Sequence, residues 1–140
     1  MIVVDASVWA VALTADSAEA SAARQVLADD VHWAMPSHGP LETLRTIRRF
    51  EASGRLSPAL STAAIDAMCA TELEVAEPSA SLLRDVWALR HHISPYDAAY
   101  VVLAARDDCP LVTFDKRLAR AASDVGVEAV VPSPAPPPDH

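Results

Sequence analysis

Residues 2–9, Ile2-Val3-Val4-Asp5-Ala6-Ser7-Val8-Trp9, decide the fold. Ile2 to Val4 is an unbroken β-branched apolar run with no polar residue to face water. That is the pattern of a strand covered on both sides in a parallel sheet. The run stops at Asp5, and a helix is expected from Ser7.

Outward from that start, strand and helix signals alternate to the end of the chain. Asp16 and Ser17 offer caps for a helix reaching about Asp29, with Ala20, Ala23, Val26 and Leu27 on its apolar face. Val31 to Met35 reads as a second strand ended by Pro36. Leu41, Leu44, Ile47 and Phe50 recur at helical spacing over about Leu41 to Ala52, and Gly54 is the expected stop. Ser57-Pro58 opens a helix through Met68, and Leu73 to Ala76 is a third strand closed by Pro78. Ser79 to His91 predicts a helix that buries Leu82, Leu83, Val86 and Leu89. Ser94-Pro95-Tyr96-Asp97 reads as N-cap, first helical residue and capping box, starting a helix to about Asp107. Leu111 to Thr113, Lys116 to Val125 and Val127 to Val131 follow as strand, helix and strand.

This alternation implies βαβ crossovers and a central parallel sheet of four to five strands flanked by helices on both faces, so the fold class is α/β. A chain of 140 residues with 51% hydrophobic content builds one core, which places a single domain over residues 1–131. The Pro-rich end, residues 132–140, is expected to be a solvated, disordered tail. The N-terminus has no basic leader and carries Asp5 inside its apolar stretch, so neither a signal peptide nor a membrane span is expected, and a cytoplasmic location is. Cys69 and Cys109 lack CxxC spacing and companion histidines; both are expected to be buried reduced thiols without a functional role.

Asp5 and Asp115 each stand just past an apolar strand, and ligands bind beyond the carboxyl ends of strands in such sheets. Carboxylates brought together in a dry site require a counter-cation or shifted protonation. A hard divalent ion fits a cluster without Cys or His, because Mg²⁺ takes a few carboxylates, several waters and phosphate oxygens. Each acid also has a structural alternative. Asp5 and Asp115 can cap the helices that follow them, Asp97 is favoured at a helix start by capping and the dipole, and Glu42 suits a solvated helix face.

Four blocks, IVVDASVWA, Pro36 with Glu42 in PSHGPLETLRTIRRFEASGRLS, SPYDAAYVVLA and LVTFDKRLARAA, together resemble the signature blocks of PIN domains, and of the VapC-type toxins in particular. The resemblance covers nearly the whole chain up to Pro132 and implies a PIN-like (Rossmann-like) three-layer fold. It puts Asp5 and Asp97 as direct metal ligands, Glu42 and Asp115 completing the acidic pocket, and Ser7 and Thr113 beside it. It further implies Mg²⁺ or Mn²⁺ as cofactor and endonucleolytic cleavage of single-stranded regions of structured RNA. The implied partners are a cognate VapB-like antitoxin and a second copy of the chain. The expected chemistry is in-line hydrolysis by a metal-activated water. Asp5, Asp97 and Asp115 would bind the metal, Glu42 would position metal or water, and no covalent intermediate is expected. One departure from the family pattern stands at Arg45, where many VapC-type sequences carry Asn; Arg45 stands within reach of Glu42 across one helical turn, and a pair there would partly neutralise the pocket.

A net charge of −8 opposes any general electrostatic grip on nucleic acid. Basic residues concentrate only at Arg45, Arg48, Arg49 and Arg55, and at Lys116, Arg117 and Arg120. Both groups flank the expected site as an RNA grip, an antitoxin surface or plain solvated charge. Asp29-Asp30 and Asp107-Asp108 read as turns, His91-His92 as a solvent-facing helix end, and His38 as a weak candidate for a general base. Two competing classes remain. A phosphotransfer receiver-type domain needs a late lysine, for which only Lys116 is available, and a PIN-like binding module would have a weakened metal site.

Overall fold

In the computed structural model, which describes residues 1–139, β1 (Ile2–Val4) is followed by α1 (Ala6–Thr14) and α2 (Ala18–Ala28). Then come β2 (Trp33–Pro36), α3 (Gly39–Ala52), α4 (Pro58–Ala70) and β3 (Glu74–Ala76). The chain continues through α5 (Ala80–Ala88), α6 (Pro95–Arg106), β4 (Leu111–Val112), α7 (Lys116–Asp124) and β5 (Ala129–Val130). The five strands form one parallel sheet in the order β3-β2-β1-β4-β5. The expected α/β class holds, with the strand count at the upper end of the expected range.

From β1 the chain steps to β2 and β3 on one side, then returns to place β4 and β5 on the other. Crossovers of one hand that run in opposite directions put their helices on opposite faces. The packing divides accordingly: α1 gathers α2, α3 and α4, whereas α6 gathers α5 and α7 and lies against β1, β2 and β4. The strand order reverses between β1 and β4, and such a switch point opens a crevice at the carboxyl ends of the strands.

α6 explains why the sheet can be covered so closely. Every residue from Ala98 to Ala104 is buried, a helix apolar all round as expected for a core position. Tyr100, Val101, Leu103 and Ala104 join the sheet core, while Ala98, Ala99 and Val102 pack with Leu82 and Val86 of α5. Ser94 caps the helix by accepting from the Asp97 N–H at 3.2 Å, so the N-terminus is fixed where β1 and β4 end.

Several expectations are corrected. Val31 is 86% exposed and precedes β2, because Asp30 Oδ1 accepts from the His32 N–H and holds a turn there. In α3 the buried residues are Gly39, Thr43 and Ile47, and Leu41 is 69% exposed. The helix begins at Gly39, two residues before the apolar spacing, and its inward face runs through Gly39, Thr43 and Ile47; Thr43 is admitted to the core because its hydroxyl donates to the Gly39 carbonyl at 2.9 Å. Leu83 is exposed, since α5 buries only Leu82 and Val86. Cys69 is exposed near the end of α4 and Cys109 is half-buried; both are free. Pro132 is buried, Ser133 to Ala135 border α2, and no helix or strand is assigned to residues 131–139. His140 lies outside the described residues.

Gly39 is where α3 meets β2. A Cβ there would stand 2.7 Å from Met35 Cε and 2.9 Å from Met35 Cβ, and Met35 is fully buried. Gly39→Ala is expected to lower stability by about 1–3 kcal/mol, as overpacking does. The denaturant midpoint should fall with an unchanged slope.

Candidate metal-binding active site

Asp5 leaves β1 at the switch point with extended backbone, φ −75° and ψ 144°, in the N-cap position of α1. Its side chain makes no capping hydrogen bond, which removes the structural alternative for this residue. Instead Ser7 Oγ and Thr113 Oγ1 both donate to Asp5 Oδ2, each at 2.7 Å. The direction of those bonds is settled locally. Ser7 Oγ accepts from the Phe114 N–H (3.3 Å) and Thr113 Oγ1 from the Asp115 N–H (2.9 Å), so each hydroxyl has its proton left for the carboxylate. Oδ1 receives no hydrogen bond, and no buried side-chain oxygen among the described residues lacks a partner; it is therefore open to the cavity that Asp5 lines.

Glu42, in the first turn of α3, is held in the same manner. Tyr100 Oη donates to Glu42 Oε1 at 3.3 Å, and His38 Nε2 lies 3.2 Å from the same oxygen and 3.0 Å from the Tyr96 carbonyl. Both neighbours of Nε2 are acceptors, so Nε2 carries the proton. Arg45 makes no pair with Glu42; His38, one helical turn before Glu42, takes that place.

Asp115 caps α7, its Oδ1 accepting from the N–H groups of Arg117 (2.9 Å) and Leu118 (3.2 Å). The capping alternative is real here, and Oδ2 remains without a partner. Asp97 sits at the start of α6, where its carboxylate makes no return bond to Ser94, so only half of the expected capping box is present. Arg117 approaches Asp97 Oδ2 at 3.8 Å from a position 81% exposed, a contact that solvent screens.

All four expected acids line one cavity of about 480 Å³. Ser7 and Arg45 line it too, while Thr113 is buried behind Asp5. Lys116 does not reach it: the side chain is exposed on the first turn of α7, and Arg117 is the basic residue that turns back to the acids. Arg49, from the basic group expected to flank the site, also lines it, as do Phe50, expected only as an apolar helix residue, and Glu19 and Phe114, for which composition and spacing gave no signal. Tyr100 had no reading of its own beyond its place in the helix that starts at Ser94.

Burial raises the Asp5 carboxyl above its ordinary range; Ser7 and Thr113 pull it back in part, and Asp97 and Asp115 push it further up. Burial likewise raises Glu42, with His38 and Tyr100 opposing and Asp5 and Asp97 adding to the rise. Burial first, then Asp5 and Glu42, hold the Tyr100 phenol protonated, which keeps it a donor. These are carboxylates that repel one another in a partly dry site, the situation a cation relieves.

Among the described residues no three His, Cys, Asp or Glu side chains stand close enough together to form an ion-binding group. The donors are single carboxylate oxygens spaced around an open cavity, all of them hard. That set fits an ion that keeps several waters and finishes its shell with phosphate oxygens, and does not fit a closed Zn²⁺ or Ca²⁺ cage.

Residues 2–124 match the model of the PIN domain family. Ribonuclease VapC1 of Mycobacterium tuberculosis is 36% identical over 119 residues, 85% of this chain and 89% of that protein. VapC ribonuclease Mb0985 of Mycobacterium bovis is 35% identical over 127 residues, 90% and 91% of the two chains. Among solved structures, Mycobacterium tuberculosis VapC20, a sarcin-ricin loop cleaving toxin, superposes with a TM-score of 0.67 at 22% identity over 86% of this chain and 95% of that one. FitAcB of Neisseria gonorrhoeae superposes with a TM-score of 0.65 at 14% identity, over 94% and 98%.

Removing Thr113 Oγ1 by Thr113→Val strands the Asp115 N–H and takes one donor from Asp5; a stability loss of about 1–3 kcal/mol is expected in chemical denaturation. Asp5→Asn acts in the opposite direction in EDTA. A carboxyl whose folded pKa is raised leaves the folded state unpenalised below its unfolded pKa, about pH 4, and penalises it as pH rises through the folded value. The thermal midpoint of Asp5→Asn is therefore expected above wild type at pH 7, with the gap closing toward pH 4.

Proposed function

The chain belongs to the PIN domain family, and on that premise we propose that it is the toxin endoribonuclease of a toxin–antitoxin pair, hydrolysing RNA phosphodiester bonds with Mg²⁺ or Mn²⁺. The observation that carries this reading is the single cavity lined by Asp5, Glu42, Asp97 and Asp115, in which two of the acids are raised by burial and by each other. Membership over most of the chain, at 35–36% identity to relatives named as VapC ribonucleases, supports the activity. The single lysine, Lys116, is exposed and off the cavity, which sets aside the receiver-type alternative.

Asp5, Asp97 and Asp115 would hold the cation from around the cavity, directly or through its retained waters, each with an oxygen not committed elsewhere. When bound, it supplies charge at the phosphoryl oxygens and lowers the pKa of water. Ser7 and Thr113 keep Asp5 from rotating, so its open oxygen stays aimed at the cavity. His38 and Tyr100 do the same for Glu42, whose raised proton affinity suits a hydrogen bond to the attacking water. Arg49 on the cavity wall, and Arg117 beside Asp97, are placed to contact flanking phosphates.

The partners in this reading are RNA, a VapB-like antitoxin and a second copy of the chain. Leu83 and Trp87 on α5 and Leu60 on α4 are exposed apolar surface suited to such contacts. In this reading residues 1–131 form the PIN domain, with the exposed residues 133–139 an extension beyond the buried Pro132. Among the described residues no helix is long and apolar enough to cross a membrane, and the proposed site of action is the cytoplasm.

Incubated with a total small-RNA pool, wild type is expected to give discrete fragments with Mn²⁺ or Mg²⁺ and none with EDTA. Asp97→Asn should cut at least about a hundredfold more slowly, since lost charge stabilisation of a few kcal/mol has that effect on rate. Folded wild type that cuts nothing with either ion, yet retains RNA, would make the chain a binding module.

A further inference from the structure

The acidic cavity shares Glu42, Arg45 and Asp97 with a second cavity of about 490 Å³, whose distinct wall is His38, Leu41, Ser94 and Tyr96. Its surface differs in kind from the first. The Tyr96 ring is 64% exposed at the first turn of α6, directly before Asp97. The ring is also anchored. His38 Nε2 donates to the Tyr96 carbonyl, and the imidazole packs edge-on against Tyr96, with centroids 5.3 Å apart, and against the fully buried Tyr100 at 5.6 Å. An exposed aromatic ring tied to the core beside a phosphodiester-cleaving site is a preformed stacking surface.

Arg45 supplies the second observation. It makes no ion pair and no hydrogen bond with any described residue, and it stands on the wall common to both cavities. Its guanidinium offers five donors and no acceptor. Among unpaired bases two adjacent acceptors meet such a fork in guanine (O6 and N7) and in cytosine (N3 and O2), and of these the larger purine ring gains more from an aromatic stacking surface. The net charge of −8 adds weight from another side: a chain that cannot hold RNA by general positive charge gains from contacts to the base itself, each stacked base being worth roughly five- to 150-fold in affinity.

We propose that this second cavity seats the base of a nucleotide adjacent to the phosphate being cut, with Tyr96 as stacking surface and Arg45 selecting guanine. The inference rests on the ribonuclease reading for its position in the reaction, and on the two cavities for its chemistry.

The test has two arms. A randomised single-stranded RNA pool is cut with Mn²⁺ by wild type, Arg45→Ala and Tyr96→Ala, and the ends are sequenced. Wild type should favour guanine at one position next to the cut by about tenfold or more, and that ratio should fall toward one in both variants. It is a ratio that loss of overall rate does not move. A wild-type pool without a guanine preference, or a preference unaltered in both variants, overturns the proposal. The second arm needs no cleavage: in EDTA, guanosine 5′-monophosphate should shift the Tyr96 ring signals saturably, adenosine 5′-monophosphate, a purine without two adjacent acceptors, more weakly and inorganic phosphate not at all. Tyr96→Phe assigns the signals, and Arg45→Ala should erase the difference between the nucleotides. If RNA is never cut but these shifts occur, the base site stands and the ribonuclease reading falls; if neither occurs, both fall.

Discussion

Thr113 Oγ1 donates to Asp5 Oδ2 at 2.7 Å across the junction between β1 and β4, joining residues 108 positions apart in the chain. The site depends on this bond. It spans the switch point where the strand order reverses, and Thr113 is fully buried, so its hydroxyl cannot turn to solvent instead. The same hydroxyl accepts from the Asp115 N–H and thereby places the cap of α7. One side chain therefore orients an acid on β1 and the helix start that carries another.

The acids repeat a common arrangement on different scaffolds. Asp5 is held through one oxygen by two hydroxyls, Glu42 by a phenol and an imidazole, and Asp115 by two backbone N–H groups. In each the other oxygen is uncommitted. At Asp5 and Glu42 this arrangement opposes folding, because burial and repulsion by neighbouring carboxylates disfavour their charged forms. The apolar enclosure of α6 and the central strands offsets that penalty. A chain with net charge −8 can then approach a polyanion where a cation reverses the local sign, with the unpaired Arg45 on the cavity wall.

The alternation of apolar strands with capped helices was legible because each boundary carries a local cause: Ser17, Ser57, Ser79 and Ser94 each cap the helix they precede. The inward faces of α3 and α5 were less legible. Apolar spacing alone points to Leu41 and Leu83, whereas the core takes Thr43, whose hydroxyl is satisfied within its own helix. At the site, strand ends made Asp5 and Asp115 visible, and the resemblance added Glu42 and Asp97. What orients Glu42 could not be read. His38 and Tyr100 reach it through tertiary packing, over 58 positions in the case of Tyr100, and helical spacing suggested Arg45 instead. Lys116 and Arg117 are neighbours in sequence, and only the helix phase decides that Arg117 is the one facing Asp97.

The central claim is that the uncommitted carboxylate oxygens around the switch point take up a divalent cation. Paramagnetic broadening of backbone amide signals on adding substoichiometric Mn²⁺ tests it most directly, with Asp5→Asn alongside. The account predicts that Asp5 to Ser7, Asp97 and Thr113 to Asp115 broaden first in wild type, and that the effect disperses in Asp5→Asn while the fold persists. Broadening centred instead on the exposed acids of the Asp107-Asp108 turn, or an identical pattern in both proteins, would contradict it.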